Sequence, residues 1–156
     1  MSLARILVDG YSLLHAWLEL APGRPRYSEA ARDELIHWLT RYHDATGTPI
    51  SLFFDGSQPA RNTCIRSTPQ VEILYSRAGQ TADTMIERVT HRLLPYGPVL
   101  VVTDDHAEQD TVIALGGMTA SCENFIRMVG DALGDLQADV KRLNHRERQG
   151  FGRART

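Results

Sequence analysis

Four short β-branched or apolar runs, Ile6–Val8, Ile50–Phe54, Val71–Tyr75 and Val99–Thr103, alternate with longer stretches of helical periodicity. No other feature restricts the fold as much. Strands joined through helices form βαβ units, and such units build a parallel sheet that is covered by its helices. Between the first two runs, Ala31, Leu35, Trp38, Leu39 and Tyr42 share one helical face, with Ser28 as N-cap and Gly47 as the stop. A second helix is expected to start near Thr81, where Ala82, Met85, Ile86, Val89 and Leu93 form an apolar stripe ending before Pro95 and Gly97. Asp83 then lies in its first turn.

After Asp105 a further segment is interrupted by Gly116-Gly117, and Ser121 caps a last helix carrying Phe125, Val129, Leu133 and Leu136, with an extension toward Leu143. The stretch from Gly56 to Pro69 has turn-forming and polar residues without a period, so it reads as a surface loop after the second strand. No linker composition divides the 156 residues, a length that suits one domain able to bury a core. The expected division is a folded body over 1–143 and a basic tail over 144–156.

Charge is uneven along the chain. Residues 141–156 carry six Lys/Arg against one acidic residue, a net +5, while residues 1–140 carry eleven against eighteen, a net −7. An acidic body does not wrap nucleic acid over its whole surface, but a basic tail beside an acidic site can hold a phosphate backbone. Cys64 and Cys122, the only cysteines, lie in no zinc-ligand spacing and make no disulfide framework. The chain opens directly into Ile6-Leu7-Val8 without a signal-peptide core, and no apolar stretch approaches the roughly 20 residues of a membrane span. A cytoplasmic protein is expected, with no membrane partner.

In open parallel sheets, ligands bind at the carboxyl ends of the strands. Here the first strand ends in Asp9-Gly10-Tyr11-Ser12, the second in Asp55-Gly56-Ser57 and the fourth in Thr103-Asp104-Asp105, while the third leads toward Asp83. Any one of these aspartates could be a helix cap or a turn residue, Asp55-Gly56 most of all. Four such ends on one sheet edge are another matter, because converging carboxylates repel unless a cation compensates them. Glu87 lies one helical turn beyond Asp83. Oxygen-only ligands favour Mg²⁺ or Mn²⁺, which polarise a phosphoryl group and acidify an attacking water.

Competing chemistries lack their residues. There is no G-x-x-x-x-G-K-[ST] loop, position 11 is Tyr where a phosphoaspartyl hydrolase would need a second Asp, and no His pair has metalloprotease spacing. His106 follows the acidic pair and would stand near the site. Arg61, Arg66 and Arg77 lie in or near loops expected on the active face and could hold phosphate. Tyr11 could stack on a base or pack against the strand end.

The segments Val8-Asp9-Gly10-Tyr11-Ser12-Leu13-Leu14, Phe53-Phe54-Asp55-Gly56, Gln80-Thr81-Ala82-Asp83-Thr84-Met85-Ile86-Glu87 and Val102-Thr103-Asp104-Asp105 resemble, in this order, the motifs of NYN domains of the YacP-like branch. The similarity covers nearly the whole chain. It implies a three-layer, Rossmann-like PIN-like/NYN fold around a central, mostly parallel sheet. It also implies a metal-dependent endoribonuclease in which Asp9, Asp83 and Asp104 hold Mg²⁺ or Mn²⁺, with Asp105 as a fourth member. By the same resemblance Asp55 borders the site, and Ser12 stands where the family usually has Asn, a hydroxyl of shorter reach in place of an amide. The substrate implied is RNA, read as single-stranded, with the ribosome as a partner suggested by the branch's link to translation. The alternative is an RNA-binding or ribosome-associated adaptor of the same fold with a weak or inactive site.

Overall fold

In a computed structural model that describes residues 2–56, 67–77 and 79–134, five strands form one sheet. They are β1 (Arg5–Asp9), β2 (Ile50–Phe54), β3 (Val71–Tyr75), β4 (Val99–Val102) and β5 (Met118–Ala120). Every pairing is parallel, in the order β3-β2-β1-β4-β5. The chain steps outward from β1 to β3 and then crosses back over β1 to reach β4. Strand order therefore reverses between β1 and β4, and the loops leaving their carboxyl ends diverge around a crevice.

The helices are α1 (Gly10–Ala16), α2 (Glu29–Thr46), α3 (Ala82–Leu93), α4 (His106–Leu115) and, over residues 122–134, α5. Period-two alternation in β1 sorts them into layers. Ile6 and Val8 pack with Leu13 and Leu14 of α1, Leu35 and Leu39 of α2, and Phe125 and Val129 of α5. Leu7 faces the opposite way, with Ile86 of α3 and Val112 of α4. β2 and β4 are buried at every position, as strands covered on both faces must be. Each large apolar side chain so buried contributes roughly 1.5–3 kcal/mol.

The helix starts lie where their side chains can cap them. The Ser28 hydroxyl accepts the Ala31 N–H at 3.2 Å and the Thr81 hydroxyl accepts the Thr84 N–H at 3.1 Å. Gly47 ends α2 in the left-handed conformation at φ 75°. Gly10 answers a different need. A Cβ there would lie against the Phe54 ring and 2.8 Å from the Phe53 carbonyl oxygen, so only glycine lets α1 leave β1 this close to β2.

The three-layer α/β architecture and the four expected strands are present; β5 and α1 are additions. β5 has three residues, none of them buried, so it carries no apolar run to detect. α1 has seven residues, fewer than two full periods. Most of the loop expected over Gly56–Pro69, the extension of the last helix toward Leu143, and the division between 1–143 and 144–156 fall outside the described residues. Among the described residues no helix is long and apolar enough to cross a membrane.

Candidate active site

The crevice at the reversal of strand order is lined by carboxylates from three elements. Asp9 closes β1, Asp83 sits in the first turn of α3, and Glu108 sits in the first turn of α4. One oxygen from each lies within 4.8 Å of the others. Asp83 and Glu108 both benefit from the partial positive charge of a helix N-terminus, which offsets part of their repulsion.

Asp9 is oriented through both oxygens. Its Oδ1 accepts the Ser12 N–H at 3.4 Å, which caps α1, and its Oδ2 accepts the Thr103 hydroxyl at 3.2 Å. Thr103, fully buried at the exit of β4, in turn accepts the Asp105 N–H at 3.2 Å. Its carbonyl oxygen takes the Gln109 amide at 2.7 Å. Despite the two donors, burial and the negative charges of Asp83 and Asp55 raise the Asp9 carboxyl to about 6.

Glu108 is the more unusual group. It is 3% exposed, and no donor reaches either of its oxygens, the only buried side-chain polar atoms left so among the described residues. Burial first, then its contact with Asp83, pushes its carboxyl up to about 10. Its nearest partner, Asp83, is also an acceptor, so two such groups can coexist only by sharing a proton or a cation. Three carboxylates, one of them with both oxygens orphaned, fit a hard divalent ion and no soft one.

Residues 6–154 match the family model described as the YacP-like NYN domain. The chain belongs to that family. It is 27% identical over 139 residues to the uncharacterized protein YacP of Bacillus subtilis strain 168, spanning 88% of this chain and 82% of that one. Crystal structures of Rae1 (YacP) from Bacillus subtilis superpose on it, the W164L mutant with a TM-score of 0.76 at 27% identity over 92% of this chain and 84% of that one. The other superposes with a TM-score of 0.75 at 26% identity, over 94% and 84%.

Within this YacP-like NYN domain, the remaining expected residues fall into separate roles. The Asp104 carboxylate accepts the Cys122 N–H at 2.8 Å, fastening the start of α5, and lies outside the three-carboxylate cluster. Asp105 caps α4, accepting the N–H groups of Ala107 at 2.9 Å and Glu108 at 3.3 Å. Asp55 accepts the Ala82 N–H at 2.6 Å and so ties the β2 exit to the start of the helix that carries Asp83. Ser12 accepts the Asp104 N–H at 3.0 Å. Arg77 is exposed, whereas Arg61 and Arg66 lie outside the described residues. Glu87 is not part of the cluster, and His106 faces Gln109 at 3.2 Å.

Glu108 was not anticipated from the sequence. Asp105-x-x-Glu108 reads as a capping box, in which the glutamate would fold back to the cap. The spacing held the opposite signal. Glu108 and Val112, four apart, are the buried residues of α4, so the glutamate shares the face that packs on the sheet.

Proposed function

We propose that the chain is a metal-dependent endoribonuclease that hydrolyses RNA phosphodiester bonds, with Asp9, Asp83 and Glu108 holding Mg²⁺ or Mn²⁺. The observation that carries this reading is the Glu108 carboxylate, buried with both oxygens unpartnered beside two further acidic groups. Without a cation such a group persists in the fold only by holding a proton that it shares with Asp83, and a divalent ion would replace that proton. When bound, the ion supplies Lewis-acid activation of a phosphoryl oxygen and a water of lowered pKa.

The chain's own residues provide the placement. Thr103 and the Ser12 N–H hold the Asp9 carboxylate in one orientation, so that it enters the site without reorganising. Asp55 positions Asp83 through the first turn of α3. Asp104 and Asp105, the other expected ligands, stand at the rim of the same crevice and add negative charge there. Asp104 keeps its catalytic assignment in this proposal as a group that orients water, since one of its oxygens is already engaged by Cys122. Hydrolysis by water needs no protein nucleophile, in keeping with a site whose reactive side chains are all carboxylates. RNA in single-stranded form, a ribosomal setting and a cytoplasmic location belong to the same proposal, with Arg77, Arg61 and Arg66 as phosphate contacts.

The test is cleavage of a long single-stranded RNA by the parent protein, Asp83→Asn and Glu108→Gln in Mg²⁺, Mn²⁺ or excess chelator. Metal-dependent cutting that both variants lose supports the proposal. Cutting that persists in chelator, or equally in the variants, rejects it; RNA binding without any cutting would favour the adaptor. Cosedimentation with ribosomes tests the ribosomal setting separately.

A further inference from the structure

The carboxyl edge of the sheet is divided by chemistry. Apart from Asp55 at the β2 exit, carboxylates occupy the β1–β4 side, and aromatic rings occupy the β1-β2-β3 side. Tyr75, at the end of β3, lies over Phe54 with ring centroids 5.5 Å apart and planes 28° from parallel. Phe54 meets Tyr11 edge-on at 5.2 Å, and Tyr11 meets Tyr27 at 5.6 Å, with planes 80° apart. Phe54 is wholly buried and anchors the row, whereas Tyr27 at its outer end is 49% exposed.

Tyr27 does not end the row alone. Its plane is 12° from that of His15, with centroids 6.5 Å apart, and its hydroxyl lies 2.9 Å from His15 Nδ1. A hydrogen bond along the ring edges at that separation means two plates side by side, not one covering the other. Arg26 lies 3.1 Å from the same nitrogen, and a guanidinium can only donate. With Arg26 donating, His15 Nδ1 is the acceptor, and its single in-plane lone pair is shared between the guanidinium and the Tyr27 hydroxyl. The result is a flat, hydrogen-bonded, exposed platform rimmed by Arg26, with Arg24 lining the adjoining cleft.

The geometry points to this Tyr27–His15 platform, with Arg26, as a binding surface for unpaired bases of single-stranded RNA, leading to the carboxylate site by way of Tyr11. This rests on the nuclease proposal for what happens at the carboxylates, but binding at the platform is independent of metal. Single-strand binders combine stackable aromatic faces with cations that follow the backbone, and here both occur on one segment between α1 and α2. Tyr11, two residues beyond Asp9, joins the two surfaces. Fixing the rings before binding lowers the ordering cost that a free tyrosine would carry.

Anisotropy of a short fluorescein-labelled single-stranded RNA, measured in excess chelator with the full chain, reads the platform without cleavage. Tyr27→Leu is expected to weaken binding about tenfold, the loss of one base–aromatic stack. Tyr27→Phe keeps the face and should retain most of the affinity. Arg26→Gln should lower the slope of log affinity against log salt by roughly 0.7, one phosphate contact on a single strand. In metal, Tyr27→Leu should raise KM with kcat little changed. The inference is overturned if Tyr27→Leu and Arg26→Gln both bind as the parent does. It is also overturned if Tyr27→Phe loses as much as Tyr27→Leu, or if fully duplex RNA binds as tightly as the single strand. Should Tyr27→Leu fail to fold, Arg26→Gln binding with the parent's affinity and salt slope, or duplex RNA bound as tightly as the single strand, overturns the inference. A platform that fails beside metal-dependent cleavage leaves the nuclease reading intact; RNA bound through Tyr27 but never cut sinks that reading and keeps the platform.

Discussion

The Ser12 hydroxyl accepts the Asp104 N–H at 3.0 Å and lies 3.5 Å from the Cys122 thiol, so one small side chain joins the exits of β1 and β4 to the start of α5. Its own N–H meanwhile caps onto Asp9. Ser12→Ala removes the joint and leaves the Asp104 N–H to water. The expected cost is about 1 kcal/mol in chemical denaturation, with a larger proportional fall in kcat than in RNA affinity. Equal kcat in Ser12→Ala and the parent protein would show that the joint does not position the site.

Gly10→Ala tests the close approach of α1 to β2. The added methyl meets the Phe54 ring and the Phe53 carbonyl oxygen, neither of which can move without disturbing the sheet. Overpacking of this kind costs about 1–3 kcal/mol, and here it would also displace Asp9, the preceding residue. Thermal denaturation should show the loss, and a Tm equal to that of the parent protein would refute the packing argument.

The parallel sheet was legible because its central strands are buried on both faces and so appear as apolar runs, Val99–Val102 most clearly, with Ser51 alone interrupting Ile50–Phe54. β5 was not, since an edge strand of three residues needs little hydrophobicity. At the candidate site, position at a strand exit or helix start singled out Asp9 and Asp83 along with Asp55, Asp104 and Asp105, and the family resemblance narrowed that set to Asp9, Asp83 and Asp104 with Asp105 beside them. Glu108 was not legible, because the same D-x-x-E spacing serves a capping box, and only burial of its face distinguishes the two. The caps provided by Asp55 and Asp105 were within reach of the simpler turn and cap reading of any single aspartate. What sequence could not supply was which strand-end carboxylates meet.

Glu108→Gln should separate stability from function. The amide donates to Asp83 without taking up a proton, whereas the Glu108 carboxyl, ionised in the unfolded chain at neutral pH, must bind one on folding to do the same. In chelator near neutral pH the variant is expected to be more stable than the parent protein, by on the order of 1–3 kcal/mol, while its metal response is lost. Denaturant melts with and without Mn²⁺ check both halves. A metal-free variant less stable than the parent would mean that Glu108 is not strained by burial.

The pH dependence of stability should invert the usual behaviour of carboxylates. Asp9 rises from 3.8 to about 6 and Glu108 from 4.5 to about 10, so in this part of the molecule the folded state binds more protons than the unfolded chain. Stability in chelator is then greatest below the unfolded values. It declines as pH rises, through about 6 for Asp9 and on toward about 10 for Glu108. Metal works in the other direction, because its ligands must be deprotonated and binding releases their protons. The gain in Tm on adding Mg²⁺ or Mn²⁺ should therefore be small near pH 5 and large near pH 8, flattening or reversing the slope seen in chelator. Thermal melts across that range, in chelator and in metal, measure both slopes, and a metal gain independent of pH would place the ion away from Asp9 and Glu108.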